Sequence, residues 1–224
     1  TDAENIDIEP VTGRIAYTRE NNLYVSENGK TMAVTSDTDK GIVNGKTVHR
    51  NEFGIDGGTF WSPKGNLLAF YRMDETMITQ YPLVDINQRV AQVEYIRYPM
   101  AGMASHHVTV GVYNPLTKQV VFLKTGEPAE QYLTNVSWSP DEKYIFIAVL
   151  NRDQNHMWLN KYDAVTGAFV KTLFEETDNE YVEPLHGPEF LKTNPSQFIW
   201  QSRRDGYNHL YLYTIGGNLV KRIT

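Results

Sequence analysis

The chain has 224 residues, of which 41% are hydrophobic and 12% aromatic, and this composition excludes a disordered polypeptide. Its formal net charge of −6 argues against nucleic acid or an anionic membrane as a partner, and the absence of cysteine excludes disulfides and thiolate nucleophiles. No apolar run reaches the roughly 18 residues that cross a bilayer, and the first residues carry no signal-peptide pattern.

Two copies of Trp-Ser-Pro, at residues 61–63 and 138–140, mark a repeat. Each copy continues through a turn, Lys-Gly or Asp-Glu, into an apolar β-prone run. Because Pro fixes φ and Gly tolerates positive φ, each unit predicts a strand, a tight turn and a second strand. Degraded copies of the same frame occur at residues 8–13 and 190–195.

A second predicted hairpin follows each of these units. Its turn carries Asn, Asp or Gly, as β-hairpins require where a residue adopts positive φ. Tyr113, Tyr162 and Tyr213 occupy equivalent places, about 50 residues apart. The sequence therefore predicts an all-β fold, namely a β-propeller fragment of about four consecutive four-stranded antiparallel blades.

The spacing of the repeats predicts one partial propeller over residues 1–224, with blades at approximately 6–57, 58–134, 135–182 and 183–224. The last predicted strand reaches Thr224, which favours a chain cut at the edge of a blade. Four blades leave an open arc with two uncovered faces, so we expect an isolated fragment to pair with another copy or to aggregate. Strand count alone also permits the alternative of two immunoglobulin-like sandwiches.

Two stretches exceed what a blade needs, one at residues 36–56 and the other at residues 73–105. The first contains His-Arg-Asn-Glu-Phe-Gly at residues 49–54, and the second contains Tyr-Ile-Arg-Tyr-Pro at residues 95–99. Long connections in compact domains are disproportionately functional. We therefore expect the functional residues of the chain to lie in these two stretches.

Three motifs carry a resemblance to a known family: Glu-Phe-Gly at 52–54, Trp-Ser-Pro-Lys-Gly at 61–65 and Leu-Ala-Phe-Tyr-Arg-Met-Asp-Glu at 68–75. Together they resemble the dipeptidyl-peptidase IV family of prolyl exopeptidases. Further segments are similar to its bacterial members, the dipeptidyl and prolyl tripeptidyl peptidases, namely residues 98–102, 133–138 and 201–209. The resemblance covers nearly the whole chain and implies an eight-bladed propeller over an α/β-hydrolase domain, with a periplasmic or outer-membrane location.

The resemblance also implies a substrate-binding site. In dipeptidyl members two adjacent glutamates, just before the Trp-Ser-Pro blade, bind the free α-amino group of the substrate. Glu52 occupies the second of these positions, and Asn51 stands at the first, which departs from the Glu-Glu pattern. A carboxylate forms a charge-assisted hydrogen bond with an ammonium group, so losing one carboxylate favours a substrate whose amine lies elsewhere, as in a tripeptidyl peptidase. Without the resemblance, the favoured interpretation of Glu52 is a solvated loop carboxylate paired with Arg50.

Catalytic, cofactor and metal chemistry are not expected in this chain. No Gly-x-Ser-x-Gly occurs, so the serine machinery would belong to a hydrolase domain outside these residues. His106 and His107 are adjacent on a predicted strand and point to opposite faces, which disfavours a shared metal ion. Residues 37–41 lack the spacing of a calcium loop, and Asp74 and Glu75 are too close in sequence to act as a glycosidase pair.

The sequence leaves two functions open. The first is the propeller portion of an exported prolyl-specific serine exopeptidase, which binds the substrate N terminus and controls access to the hydrolase domain. Its expected partners are the peptide, that hydrolase domain and a second copy of the chain, and not nucleic acid. The alternative is a propeller that binds proteins or glycans and has no peptidase activity.

Overall fold

A computed structural model describes residues 2–224. Over these residues the chain forms strands and turns, and its helical structure is limited to one short 3₁₀ turn at His49–Asn51. The alternation of buried and exposed positions explains the strands, as in Asn22–Glu27, where Leu23 and Val25 are buried. The all-β prediction is confirmed.

Three four-stranded antiparallel sheets are meanders, in which neighbours along the chain are neighbours in the sheet. The first sheet contains β1 (Glu4–Ile8), β2 (Ile15–Arg19), β3 (Asn22–Glu27) and β4 (Lys30–Ala33). The third contains β12 (Tyr132–Trp138), β13 (Tyr144–Leu150), β14 (His156–Asp163) and β15 (Phe169–Thr177). The fourth contains β16 (Glu189–Leu191), β17 (Asn194–Ser202), β18 (His209–Thr214) and β19 (Leu219–Arg222).

The second sheet differs because its first strand is split. It contains β5 (Ile42–Asn44), β6 (Thr59–Trp61), β7 (Leu68–Asp74), β10 (His107–Asn114) and β11 (Gln119–Phe122). β5 and β6 both pair with β7, one with each half of it. At the division, Tyr71 accepts a hydrogen bond from the Gly45 N–H (2.8 Å) and donates its own N–H to the Gly58 carbonyl (2.9 Å). Residues 46–57 therefore leave the sheet and return to it at a single place, and we call this segment the site loop.

Glycine is required where the two ends of the site loop meet. A Cβ on Gly58 would overlap the backbone of Gly45 and the carbonyl of Lys46. The second long stretch forms a separate two-stranded hairpin, with strands β8 (Gln80–Asp85) and β9 (Gln92–Arg97). Both stretches that the sequence singled out are thus outgrowths of the second sheet.

One boundary differs from the sequence-based division. Residues 42–44 were assigned to the first blade, which was placed at 6–57, but they pair with β7 in the second sheet. Three residues are too few to show an alternating pattern, and the site loop separates them from the rest of their strand. The repeat frame alone could not detect that one strand position is filled by two segments.

Apolar clusters lie between successive sheets. One cluster joins Phe70 of the second sheet to Ala16, Leu23 and Val25 of the first. In another, Phe146 of the third sheet packs against Phe190 and Phe198 of the fourth, with ring centroids 5.5 and 6.5 Å apart. Each buried ring contributes on the order of a few kcal/mol, so these aromatic residues stabilise one sheet against the next.

The tryptophans of the two Trp-Ser-Pro motifs also connect sheets through hydrogen bonds. The indole N–H of Trp138 donates to the Phe60 carbonyl of the preceding sheet (2.9 Å), and that of Trp61 donates to the Asp7 carbonyl of the first sheet (3.5 Å). The repeated motif therefore places one donor in the same position at two successive sheet boundaries.

Both outer sheets expose apolar side chains. Ile6 and Ile8 of β1 are 61% and 62% exposed, and Leu219 and Val220 of β19 are 53% and 47% exposed. The association of an isolated fragment stays a prediction. Within residues 2–224, no helix is long and apolar enough to cross a membrane.

Candidate functional site

A cavity of about 430 Å³ lies beside the site loop. The loop forms one wall, the segment that follows β9 forms another, and the third sheet contributes β12 and the turn between β13 and β14. Its ionisable lining residues are His49, Arg50, Glu52, Glu75, Arg97, Tyr98, His106, Tyr132 and Arg152. The cavity therefore combines residues from both long stretches with residues from a neighbouring sheet.

The site loop contains a left-handed turn. His49, Arg50 and Asn51 have φ values of 50°, 54° and 62°, and Phe53 has 56°. This region costs an L-residue roughly 1–2 kcal/mol, although Asn tolerates it better than most. Glu52 lies in extended conformation between them, with φ −78° and ψ 169°. Strain of this kind persists only where the surroundings determine the conformation, and it concentrates at functional sites.

Apolar anchors hold the strained loop. Val48 and Ile55 are buried in the cluster between the second and third sheets, and Phe53 is buried in the cluster between the third and fourth. Burying each such side chain contributes roughly 1.5–3 kcal/mol, which is comparable in sum to the cost of four left-handed residues. The loop keeps its shape because three sheets pack against it.

A substitution at Gly54 is expected to destabilise this arrangement. Gly54 has φ +71°, and a Cβ there would overlap the Leu185 carbonyl. We expect Gly54→Ala to lower the stability of the complete protein that carries this chain by roughly 1–3 kcal/mol, measured by thermal unfolding. Gly57→Ala is the matched control, because Gly57 has open space around its Cα. An equal loss in both variants would contradict the explanation.

Glu52 and Asn51, the two residues that the resemblance singled out, line this cavity with both side chains exposed. Across residues 2–224 the Glu52 carboxylate forms no ion pair. The alternative of a pair with Arg50 is not observed, because the Arg50 guanidinium stacks over the Tyr98 ring at 4.4 Å. Glu52 is thus a carboxylate available to a ligand.

A second carboxylate, Glu75, also lines the cavity. It is half-buried, and burial raises its pKa, while the charges of Arg97 and Arg50 act in the opposite direction. Arg97 shapes this part of the wall, since its Nη1 donates to the carbonyls of Glu75 (2.8 Å), Thr76 (3.3 Å) and Ile78 (3.4 Å). Asp74 instead accepts hydrogen bonds from Thr76 within its own turn.

The third sheet contributes Tyr132 and Arg152. The Tyr132 hydroxyl accepts hydrogen bonds from Arg152 Nη1 (2.6 Å) and Gln154 Nε2 (3.3 Å), and the Arg152 guanidinium lies 5.3 Å from the ring centroid. The same ring contacts Phe53 of the site loop, with centroids 5.0 Å apart. These contacts connect the part of the cavity that the third sheet forms to the loop that carries Glu52.

A histidine pair lies at the base of the site loop. His49 is only 5% exposed, and its Nδ1 lies 3.1 Å from Nε2 of His106. Burial, with the nearby His106 and Arg152, lowers the pKa of His49 from 6.5 to about 3. In the sequence each of these histidines had no partner at a recognisable spacing, because 57 positions separate them. Sequence reasoning also missed Tyr132 and Arg152 for the same reason.

Asp37 and Asp39, in the segment that lacks calcium-loop spacing, have structural partners, and so does Arg204 near the end of the chain. Asp37 pairs with Arg72 (3.1 Å), and Asp39 accepts the Gly41 N–H (2.7 Å). Arg204 donates to Glu176 (2.5 Å) and to the Tyr213 hydroxyl (2.6 Å). Throughout the described part of the chain, no group of three or more His, Asp or Glu side chains could hold a metal ion.

Comparison with known proteins identifies the family. The family model described as the dipeptidyl peptidase IV (DPP IV) N-terminal region matches residues 1–224. The chain belongs to this family. A crystal structure of a candidate dipeptidyl aminopeptidase IV from Bacteroides ovatus is 56% identical over 96% of this chain and 30% of that chain, with a TM-score of 0.91.

Two relatives with more distant sequences are also similar to the chain. Porphyromonas gingivalis dipeptidyl peptidase 4 superimposes with a TM-score of 0.87 at 24% identity, over 98% of this chain and 32% of that chain. A Talaromyces marneffei protein named "Probable dipeptidyl-aminopeptidase B" is 26% identical over 94% of this chain and 27% of its own length. The four sheets are propeller blades, as predicted, and the chain spans about a quarter to a third of these relatives.

Proposed function

We propose that this chain is the propeller portion of an exported prolyl-specific serine exopeptidase, in which Glu52 binds the α-ammonium group of a peptide substrate. The observation that carries the proposal is the position of Glu52. Its carboxylate is exposed at a cavity of about 430 Å³, on a strained loop that three sheets hold in place, and no side chain of opposite charge among residues 2–224 pairs with it. An ammonium group requires such an acceptor.

The chemistry of the cavity supports a peptide as the ligand. A free N terminus supplies the cation for Glu52, and peptide carbonyl oxygens are acceptors that suit the exposed guanidinium groups of Arg50 and Arg152. Asn51 supplies a neutral amide where dipeptidyl members have a carboxylate, which favours release of tripeptides. Bond cleavage belongs in this proposal to a hydrolase domain of the parent protein, whose serine attacks the carbonyl carbon of the proline and releases the amine that follows it.

The test is a paired assay on the complete protein. Chromogenic substrates that end in proline, after one or two preceding residues, are compared in free and N-acetylated form. We expect cleavage of the free peptides, a preference for the longer one, and little cleavage of the acetylated forms, because acetylation removes the charge that Glu52 binds. Preference for the shorter peptide would assign a dipeptidyl enzyme in which Glu52 suffices.

Two results would overturn the proposal. Equal cleavage of acetylated and free peptides would exclude recognition of the N terminus. Cleavage of neither by a folded protein would favour the alternative, a propeller that binds proteins or glycans without peptidase activity. The proposal also includes a periplasmic or outer-membrane location, which cell fractionation tests, and association with a second copy, which sedimentation of the complete protein tests.

A further inference from the structure

A chain of hydrogen bonds runs from the third sheet through the site loop to His106. The backbone N–H of Leu133 in β12 donates to Nε2 of His49 (3.2 Å), and Nδ1 of His49 lies 3.1 Å from Nε2 of His106. His106 stands just before β10 of the second sheet. The first residue of the left-handed turn is therefore held from two sheets at once.

The direction of each hydrogen bond follows from the backbone donor. An amide N–H can only donate, so Nε2 of His49 carries a lone pair and the proton of this imidazole is on Nδ1. That proton is directed at Nε2 of His106, which must also carry a lone pair. Both rings are then neutral, and the proton of His106 is on Nδ1.

We propose that neutral His106 is a positioning residue for Glu52. By accepting the proton of His49 it fixes the imidazole that begins the left-handed turn, and the turn in turn directs the Glu52 carboxylate into the cavity. Protonation of His106 would place a hydrogen on Nε2 opposite the Nδ1–H of His49, and this contact would open the turn. The inference rests on the proposed function of Glu52.

The surroundings of His106 favour its neutral form. Burial lowers the pKa of His106 below 6.5, and the charges of Arg152, Arg50 and His107 act in the same direction. The charged groups that face this region from the packed elements are the cations Arg50, Arg97 and Arg152 with His107, and the carboxylates Glu52, Glu75 and Glu130. Arg97 is engaged by backbone carbonyls, and Glu130 accepts the Ser105 N–H (3.4 Å). The neutral form of His106, which positions Glu52, is therefore the form present at neutral pH, and acid converts it to the protonated form.

The experiment compares three variants of the complete protein with a peptide substrate that has a free N terminus. His106→Phe removes the acceptor, His106→Gln keeps a carbonyl oxygen that can accept from His49, and His107→Gln is the control. We expect His106→Phe to raise KM about tenfold with kcat nearly unchanged, and His106→Gln and His107→Gln to retain the wild-type KM at neutral pH.

The pH profile separates positioning from general damage. In the wild type, KM should rise as the pH falls through the lowered pKa of His106, because the imidazole becomes protonated, whereas His106→Gln should lack this rise. The catalytic groups are the same in wild type and variant, so the effect of their titration cancels in the ratio of the two KM values. Nitrogen-15 NMR should show His49 protonated on Nδ1 and His106 unprotonated on Nε2 at neutral pH. If His106→Phe fails to fold, the profile of His106→Gln decides, and a persisting acid rise would overturn the inference.

The role of Glu52 and the role of His106 can be tested separately. If Glu52→Gln leaves KM unchanged, the proposed function of Glu52 is wrong. If Glu52→Gln raises KM and folded His106→Phe does not, then Glu52 binds the substrate and only the role of His106 is wrong.

Discussion

Glu52→Gln will raise the KM of the complete protein for a peptide with a free N terminus by roughly 10- to 100-fold, without loss of folding. A hydrogen bond to a charged group contributes roughly 1.5–3 kcal/mol, and each 1.4 kcal/mol corresponds to a factor of ten in affinity. Glutamine has the same shape as glutamate, so the strained loop and its apolar anchors stay in place. The change removes only the charge that faces the ammonium group.

Two controls make this result specific. Glu94→Gln removes an equally exposed carboxylate from β9 of the hairpin, and its KM should equal that of the wild type. Wild type and Glu52→Gln should have the same KM for an N-acetylated substrate, because that substrate has no ammonium group for Glu52 to bind. A near-normal KM for Glu52→Gln, in a protein with an unchanged melting temperature, would remove Glu52 from the binding site.

The fold was largely predictable because its repeat consists of short local sequence motifs. Trp-Ser-Pro in two sheets, a degraded form of the same frame in the other two, and the alternating strands make up the repeat, and strand pairing between sequence neighbours needs no long-range information. The split strand was not predictable. Residues 42–44 belong to the second sheet because they pair with Arg72 and its neighbours, and no local pattern in three residues can specify that partner.

The candidate site was predictable in its two long stretches, residues 36–56 and 73–105, and not in the third sheet. Glu52 and Asn51 were identifiable because Glu-Phe-Gly at 52–54 and the motifs that follow it resemble a family, and the residue types alone gave no such indication. Tyr132 and Arg152 meet the loop because the second and third sheets pack side by side, and His106 meets it because β10 pairs with β7 next to the loop. Such contacts leave no spacing in the sequence, since they depend on the packing of whole sheets.

Glu142→Ala should reduce the stability of the propeller by roughly 3 kcal/mol. Glu142 follows the second Trp-Ser-Pro motif and is 8% exposed, and its carboxylate reaches the equivalent turn of the preceding sheet. Oε1 accepts hydrogen bonds from the Ser62 hydroxyl (2.6 Å) and the Lys64 N–H (2.6 Å), and Oε2 accepts from Asn66 Nδ2 (2.7 Å). Removing the carboxylate leaves three donors without their acceptor at this boundary.

The effect should be local and dependent on pH. Hydrogen exchange should increase at residues 62–66, whereas Asp141→Ala, which removes a carboxylate bonded within its own turn, should leave that segment protected. Burial raises the pKa of Glu142, but the hydrogen bonds from Ser62, Asn66 and Lys64 outweigh it and hold the pKa below 4.5. The stabilisation is therefore complete above pH 4.5 and is lost as the pH falls through the lowered pKa.

Glu142→Gln distinguishes charge from shape at the same boundary. The glutamine side chain keeps one acceptor oxygen but directs an amide N–H₂ toward one or more of the donors on Ser62, Lys64 and Asn66. The variant protein should therefore be less stable than the wild type at neutral pH, and its stability should lack the acid dependence of the wild type. If Glu142→Gln and Glu142→Ala both unfold at the wild-type temperature, the turn-to-turn contact contributes nothing. The two sheets would then be held together by their apolar cluster, the Trp138 hydrogen bond and the hydrogen bond from the Tyr71 hydroxyl to the Leu133 carbonyl.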